Sequence, residues 1–445
     1  MNKKKKIEIC IVGLGFVGLT LAATLARSGL NVLGIEKNSR IFKKIKKGNP
    51  HFYEPGLAKL LKKLIFKKKL RIINKIDKKI LLPNNIIITV GTPVNKNKKM
   101  NIKNIKNTVS NISKFMQENT LIILRSTVGV GISRRIVLPL LIKSKKKFQL
   151  SFCPERTLEG KALKELKELP QIIGGLDDKS IKQSKKIFNK ITKNLIIVKN
   201  IETAEMIKLI DNVNRDIFFG YANEVAKACD IVGISATEVI KKGKLYYPRT
   251  NLPLPGLVGG PCLEKDPYIF SESFLKHKFQ TRITMAARKM NEIQPIDSSN
   301  FILNKFKLKF KKSIKKILLI GLAFKGTPTT SDIRGTMAIP IINFFRKKNP
   351  KIIINGYDPF VKKEDFKILK IKKIQSINKA NKNDLIIIMN NNKIFLDMGI
   401  NKIAALLKKE GLVYDFWSLF KLNKSHISKQ RYYISLGNHY LDKKI

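Results

Sequence analysis

Cysteine is scarce in this chain: 445 residues hold four, Cys10, Cys153, Cys229 and Cys262. Their wide spacing matches neither a zinc-ligand pattern nor a disulfide framework, so no metal is expected and a reducing, cytoplasmic compartment is the simplest setting. No apolar run approaches the roughly 20 residues that a membrane-spanning helix requires. The start, MNKKKKIEICIVGLGFVGL, is basic and then apolar, but its glycines and Arg27 argue for a first strand and turn rather than a secretory leader. Nothing repeats at a short period, which excludes a solenoid. Acidic residues are also few, 32 against 89 Lys and Arg, leaving a formal net charge of +57.

A field of that sign attracts polyanions, so nucleic-acid binding has to be weighed. The lysines, however, are spread along the whole chain, in runs such as KKLIFKKKL and KFKLKFKK, without a concentrated basic arm. Lysine, isoleucine and asparagine are abundant together, which reads as a compositional bias falling on solvent-facing positions. What is present is otherwise a globular composition, 43% hydrophobic and 27% charged, at a length that implies two or three domains.

The first part alternates apolar strands with helical stretches: IEICIVG, NVLGIE, NIIITVGTP, TLIILRSTV, FQLSFCPE, PQIIGG and LIIVKN. That alternation predicts a largely parallel α/β sheet with its working residues at strand ends. From Thr203 to about Asp230 there is no Gly-Pro break, and Met206, Leu209, Ile210, Val213, Ile217 and Tyr221 recur at helical spacing. A long amphipathic helix is expected there, with more helix through TRITMAARKMNEI. A second α/β pattern starts at KKILLIGLAFKG and continues through AIPIINFFRKK, KIIINGYDPF, NDLIIIMN and GLVYDF.

GLGFVG sets Gly13, Gly15 and Gly18 between a strand and a helical run. Gly13 permits the tight turn, Gly15 lets the backbone approach a pyrophosphate, and Gly18 allows close helix–strand packing. Helix-start amides there hold negative charge, so Gly13, Gly15, Phe16, Val17 and Gly18 are candidate cofactor contacts. Glu36 closes the second strand 21 residues after Gly15. An acid at that place accepts from an adenosine ribose 2′-hydroxyl and repels a 2′-phosphate, so NAD is expected rather than NADP. Thr92 in GTP and Thr127 in STVG follow later strands; each is either a cofactor-side hydroxyl or a helix cap.

PGLVGGPCLEKD puts Cys262 in a glycine-rich turn followed by Glu264, Lys265 and Asp266. A cysteine in that setting is either a small buried hydrophobe or a nucleophile. Beside a nicotinamide, a nucleophilic cysteine holds an aldehyde as a thiohemiacetal, which hydride transfer converts to a thioester that water releases. CPERTLEG places Glu155 and Glu159 after an apolar strand. Lys208 and Asn212, four apart, share a helix face, and Arg215 returns nearly to it. Taken singly, each of these would ordinarily be read as a solvent-exposed residue.

Together these motifs resemble the nucleotide-sugar 6-dehydrogenases, the UDP-glucose and UDP-N-acetylhexosamine dehydrogenase family. The resemblance runs through GLGFVGL, GTP, STVG, CPER with Glu159, the Lys208–Asn212 helix, PGLVGGPCLEKD, and GLAFKG with Asp332 and Arg334, in family order and over nearly the full chain. It implies an α/β fold of two Rossmann-like domains joined by a helical middle domain with a long central helix. The boundaries are 1–200 for NAD, 201–305 for the middle and 306–445 for UDP. It implies oxidation of a sugar C6 alcohol to a carboxylate with two NAD and one water, in a homodimer or larger homo-oligomer. Cys262 would be the nucleophile, with Lys208 and Asp266 assisting deprotonation and Asn212 donating to the oxyanion. Glu155 would orient or activate water, and Thr127 would support the reacting end. Arg156, Thr157, Glu159, Arg215, Arg249 and Gly259 would contact the UDP-sugar, the YPR segment around Arg249 in a neighbouring subunit. Lys325 and Arg334 would lie near the UDP end.

CPER and Arg215 are similar to the N-acetylhexosamine branch, UDP-GlcNAc or UDP-ManNAc, whose uronic acids enter surface polysaccharide or glycan synthesis; UDP-glucose is the alternative. GGPCLEKD departs from the GGHCIPVD form of that branch. Glu36 replaces the usual aspartate, and GTPTTSDIRG carries two extra residues between Lys325 and Arg334 and lacks the ES that usually follows the arginine.

Overall fold

In a computed structural model of the chain, the described residues are 6–76, 80–380, 382–420 and 431–439. Two compact units result: one comprises 1–212 with 268–280, the other 213–267 with 281–445.

The first unit is built on an eight-stranded sheet. Its strands are β1 (Ile9–Val12), β2 (Val32–Ile35), β3 (Leu70–Ile73), β4 (Asn85–Ile88), β5 (Thr120–Leu124), β6 (Phe148–Phe152), β7 (Gln171–Gly175) and β8 (Leu195–Val198). Their order is β3-β2-β1-β4-β5-β6-β7-β8, and all neighbours are parallel except β6 and β7. Strand β1 shows why the strands read as unbroken apolar runs. Ile9 and Ile11 enter one core cluster while Cys10 and Val12 enter another, so both faces are covered. The order reverses between β1 and β4, and ligands of such sheets sit beyond the strand ends at that reversal. Strand β3 was not apparent from the sequence, since Arg71 interrupts its apolar run.

The second unit carries a six-stranded parallel sheet of β9 (Lys316–Ile320), β10 (Ile353–Tyr357), β11 (Lys372–Lys373), β12 (Asn383–Ile388), β13 (Leu407–Asp415) and β14 (Arg431–Ser435). The order β11-β10-β9-β12-β13-β14 again reverses, here between β9 and β12. Ile317 and Leu319 enter one core cluster, Leu318 and Ile320 the other.

Helices supply the middle of the chain: Ile201–Val232, Ala236–Gly243, Asp266–Phe274 and Arg282–Phe310. The first is the expected long helix, 32 residues in length. The last runs well past the periodic stretch TRITMAARKMNEI and through Pro295, whose carbonyl accepts from Ser299 Oγ at 2.7 Å. No helix among the described residues is long and apolar enough to cross a membrane.

Candidate active site

In the first unit the turn after β1 carries the glycine signature in three distinct ways. Gly13 has φ +93°, a left-handed conformation that strains any side chain. A Cβ on Gly18 would stand 1.9 Å from the Gly13 carbonyl oxygen, so only glycine lets the helix Phe16–Arg27 approach the strand. A Cβ on Gly15 would meet nothing within 4 Å. The open side of Gly15, at the start of a helix, suits the approach of a pyrophosphate. Phe16 and Val17, half-buried, begin that helix.

Glu36, at the end of β2, is buried. Its Oε2 accepts from the Leu14 N–H at 3.0 Å and its Oε1 from the Asn38 N–H at 2.8 Å. The longer arm of glutamate therefore reaches back to the glycine turn, and the carboxylate keeps further acceptor capacity for a ribose hydroxyl. The second unit repeats the device: Asp358, just after β10, accepts from the Leu322 and Ala323 N–H groups at 2.8 and 3.1 Å. Thr92 donates through Oγ1 to the Thr127 carbonyl at 2.6 Å. That bond joins the segments after β4 and β5, and the helix-cap reading of Thr92 does not hold.

Glu155 is buried at the end of the CPE segment. Arg125 Nε and Nη2 donate to its Oε2 at 3.1 and 2.8 Å, and the Arg156 and Thr157 N–H groups donate to its Oε1 at 2.9 and 2.8 Å. Burial alone would raise its pKa. The Arg125 charge and the N–H donors outweigh that and hold the carboxyl below its ordinary range. Arg125 Nη1 also donates to the Cys153 carbonyl and to Gln171 Oε1, at 2.9 and 2.7 Å. Neither Arg125 nor Gln171 stood out in the sequence. The only signal was an arginine closing an otherwise apolar strand, in TLIILRSTV. Arg156 itself pairs with Asp211 at 2.7 Å, and Thr157 and Glu159 are half-buried beside it in sequence.

On the long helix the surface reading of Lys208 and Asn212 fails. They are 8% and 6% exposed, whereas Ile210 between them is 42% exposed. One turn earlier, Glu205 is fully buried and accepts from the Gly131 and Ser133 N–H groups, tying the segment after STVG to this helix. Burial raises the Glu205 pKa, and its hydrogen bonds with the Ser133 and Gly131 segment oppose that.

In the second unit, Cys262 is exposed while Cys10, Cys153 and Cys229 are buried. Burial pushes the Cys153 thiol up to about 12 and raises Cys10 and Cys229 as well, leaving those three as inert thiols. The filler reading of Cys262 is thus excluded. Its carbonyl accepts from the Lys265 and Asp266 N–H groups at 3.1 and 2.9 Å, a helical turn leading into Asp266–Phe274. Asp266 is fully buried and pairs with Lys265, so the unusual lysine of GGPCLEKD has a partner inside the motif.

The glycines of that turn are packing glycines. A Cβ on Gly259 would lie 2.1 Å from the Gly335 carbonyl oxygen, and one on Gly260 would lie 2.4 Å from Phe324. PGLVGGPC and GLAFKG…DIRG are thereby brought together. Lys325, half-buried, follows β9 at the sheet's order reversal, its ammonium 5.5 Å from the Phe324 ring centroid. Arg334 is exposed and pairs with Asp332. The lengthened GTPTT stretch is tied to the segment after β12: Thr327 Oγ1 donates to the Asn391 carbonyl at 3.0 Å and Asn392 Nδ2 to Thr329 Oγ1 at 3.2 Å. Arg215 is exposed, and Arg249, in an exposed segment, packs on Tyr247 with its guanidinium 4.8 Å from the ring centroid.

Two order-reversed, largely parallel sheets, a glycine turn with its acid, and an exposed cysteine beside a buried aspartate define a nucleotide-dependent oxidoreductase. The chain belongs to the UDP-glucose/GDP-mannose dehydrogenase family, whose NAD binding domain matches residues 7–192, central domain residues 202–293 and UDP binding domain residues 318–422. It is an NAD-dependent nucleotide-sugar dehydrogenase. It is 32% identical over 421 residues to the UDP-N-acetyl-D-mannosamine dehydrogenase of Methanococcus vannielii, covering 93% of each chain. It is 30% identical to the enzyme of the same name from Campylobacter jejuni, covering 91% of this chain and 100% of that one. The solved UDP-D-ManNAc dehydrogenase of Pyrococcus horikoshii superposes with a TM-score of 0.86 at 26% identity, covering 97% of this chain and 100% of the other.

Proposed function

We propose that this enzyme oxidises the C6 hydroxyl of a UDP-N-acetylhexosamine, UDP-ManNAc or UDP-GlcNAc, to the uronic acid. The observation that carries the reading is the exposed Cys262, the one cysteine not sealed in a core, in a chain related nearly end to end to UDP-N-acetylmannosamine dehydrogenases. CPER and Arg215 support the same substrate branch. The segments 1–200, 201–305 and 306–445 serve NAD, the chemistry and UDP respectively; the family's three domains fall within or close to those limits.

The glycine turn, Glu36 and Thr92 would hold the cofactor, with Thr127 supporting the reacting end; two NAD, bound in turn, would supply the hydride acceptors for the two oxidations. Lys208 and Asp266 assist deprotonation of the C6 hydroxyl and stabilise the charge on its oxygen as the alcohol becomes aldehyde. Cys262 Sγ then bonds to the aldehyde carbon. Loss of hydride from that carbon leaves a thioester, Asn212 donating to the oxyanion. Water adds to the thioester, the C–S bond breaks, and acid and thiol are released. Glu155, saturated by four N–H donors, orients the Arg156–Thr157 backbone rather than storing the proton of that water. Arg156, Thr157, Glu159, Arg215, Arg249 and Gly259 border the sugar nucleotide, with Lys325 and Arg334 toward its UDP end.

The product serves surface polysaccharide or glycan synthesis, and the enzyme works in the cytoplasm as a homodimer or larger assembly. Phe218 and Tyr221, 40% and 57% exposed on the long helix, support self-association. The test is a panel of UDP-ManNAc, UDP-GlcNAc and UDP-glucose with purified protein. An N-acetylhexosamine should yield two NADH per sugar and the acid. A product stopping at aldehyde sinks the mechanism; preference for UDP-glucose sinks the substrate. Selective nucleic-acid binding at physiological salt with no NAD reduction would reverse the reading altogether.

A further inference from the structure

We propose that Arg288 is the positioning residue that sets the Cys262 turn, acting through the backbone on either side of it; the proposal rests on Cys262 being the nucleophile. Arg288 lies on the helix Arg282–Phe310 and is 1% exposed. Its Nη1 donates to the Leu263 carbonyl at 2.9 Å and to Asp216 Oδ1 at 2.7 Å, and its Nη2 donates to the Val258 carbonyl at 3.2 Å. Val258 and Leu263 are the residues immediately flanking Gly259–Cys262. One planar guanidinium thus grips both ends of the segment that carries the sulfur.

The grip is itself braced. Asn291, three residues along the same helix, donates to the Asp216 carbonyl and to Asp216 Oδ1 at 2.8 and 3.0 Å. Asn291 Oδ1 accepts from Asn223 Nδ2 at 3.0 Å, and Asn223 donates to the Gly256 carbonyl and accepts the Gly256 N–H at 3.1 and 3.0 Å. The segment is therefore held at Gly256, Val258 and Leu263 by four buried polar side chains. Glu292 Oε1 also lies 3.6 Å from Arg288 Nε.

The need for such a device follows from composition. Gly259 and Gly260 have no side chains to pack, and glycine backbones carry the most conformational freedom to lose. Reacting atoms must nonetheless be held to a fraction of an ångström, since a misplacement of about 1 Å costs about a hundredfold in rate. A fixed fork to two carbonyls supplies that restraint. A lysine ammonium, a single point of donation on a flexible stem, does not.

The experiment is a double-mutant cycle between Arg288 and Cys262. Arg288→Lys should lower kcat for acid formation roughly 10- to 100-fold, with KM for the sugar nucleotide and for NAD within about twofold of wild type. In a Cys262→Ser background, where only the first oxidation is read as single-turnover NADH, adding Arg288→Lys should change nothing further. An effect of equal size in that background, or a loss confined to KM, overturns the proposal. If Arg288→Lys does not fold, Arg288→Gln with Asp216→Asn removes both buried charges together and should show the same kcat loss. Full kcat in that pair overturns it. Full acid formation by Cys262→Ser alone would instead remove Cys262 from the chemistry, an outcome separate from that of Arg288.

Discussion

Arg125 and Glu155 form a buried ion pair at 2.8 Å, their side chains 1% and 8% exposed, with both Nε and Nη2 of the guanidinium on one carboxylate oxygen. Because the Glu155 carboxyl sits below its ordinary value of 4.5, the folded state binds its proton less tightly than the unfolded state. The pair's stabilisation is therefore fully present above that ordinary value and is lost as pH falls through the lower, folded one. Glu155→Gln should cost about 3 kcal/mol at neutral pH. The gap in urea midpoint between wild type and variant should stay constant from pH 7 down to about pH 5 and narrow only below. A gap that closes above pH 5.5 would contradict the pairing.

Gly15 and Gly18 should separate under alanine substitution although both belong to one signature. Gly15→Ala meets no protein atom, so its thermal midpoint should match wild type while NAD affinity drops. Gly18→Ala meets the Gly13 carbonyl and should lose about 1–3 kcal/mol of stability. Calorimetric NAD titration together with thermal unfolding reads both; equal destabilisation of the two variants would count against the geometry.

Lys208→Met keeps the length of a side chain that is 8% exposed and removes its charge. The variant should fold, bind both substrates and lose about a hundredfold in kcat. Steady-state kinetics with separate KM values checks this, and a loss seen only in KM would assign Lys208 to binding.

Cys262→Ser should retain binding of sugar nucleotide and NAD but form no acid through a thioester. The measurement is NADH per sugar together with product analysis. Unchanged acid formation removes the cysteine from the mechanism.

The strands were largely legible because both sheet faces are covered, so most of them read as apolar runs; β3, interrupted by Arg71, and β11, Lys372–Lys373, do not. The glycine turn and Glu36 were legible because their spacing is local. The burial of Lys208 and Asn212 was not. Ile210 and Tyr221 suggested that the apolar stripe faces inward, but both are exposed, and the buried face carries Glu205, Lys208, Asn212 and Asp216. Arg125, Gln171 and Arg288 escaped notice for a related reason. Their principal partners lie 25 to 72 residues away along the chain, and an arginine on a helix looks the same from sequence whether it faces water or two carbonyls.

Of the four cysteine sulfur atoms in the native protein, three are sealed in core packing and one meets solvent. A thiol reagent under native conditions therefore counts one equivalent per chain, and full denaturation raises the count to four. The same titration reports occupancy, since a bound sugar that covers Cys262 slows the single fast equivalent without touching the slow three. The molecule thus carries its own gauge of folding and of ligand binding, readable without turnover and without any added label.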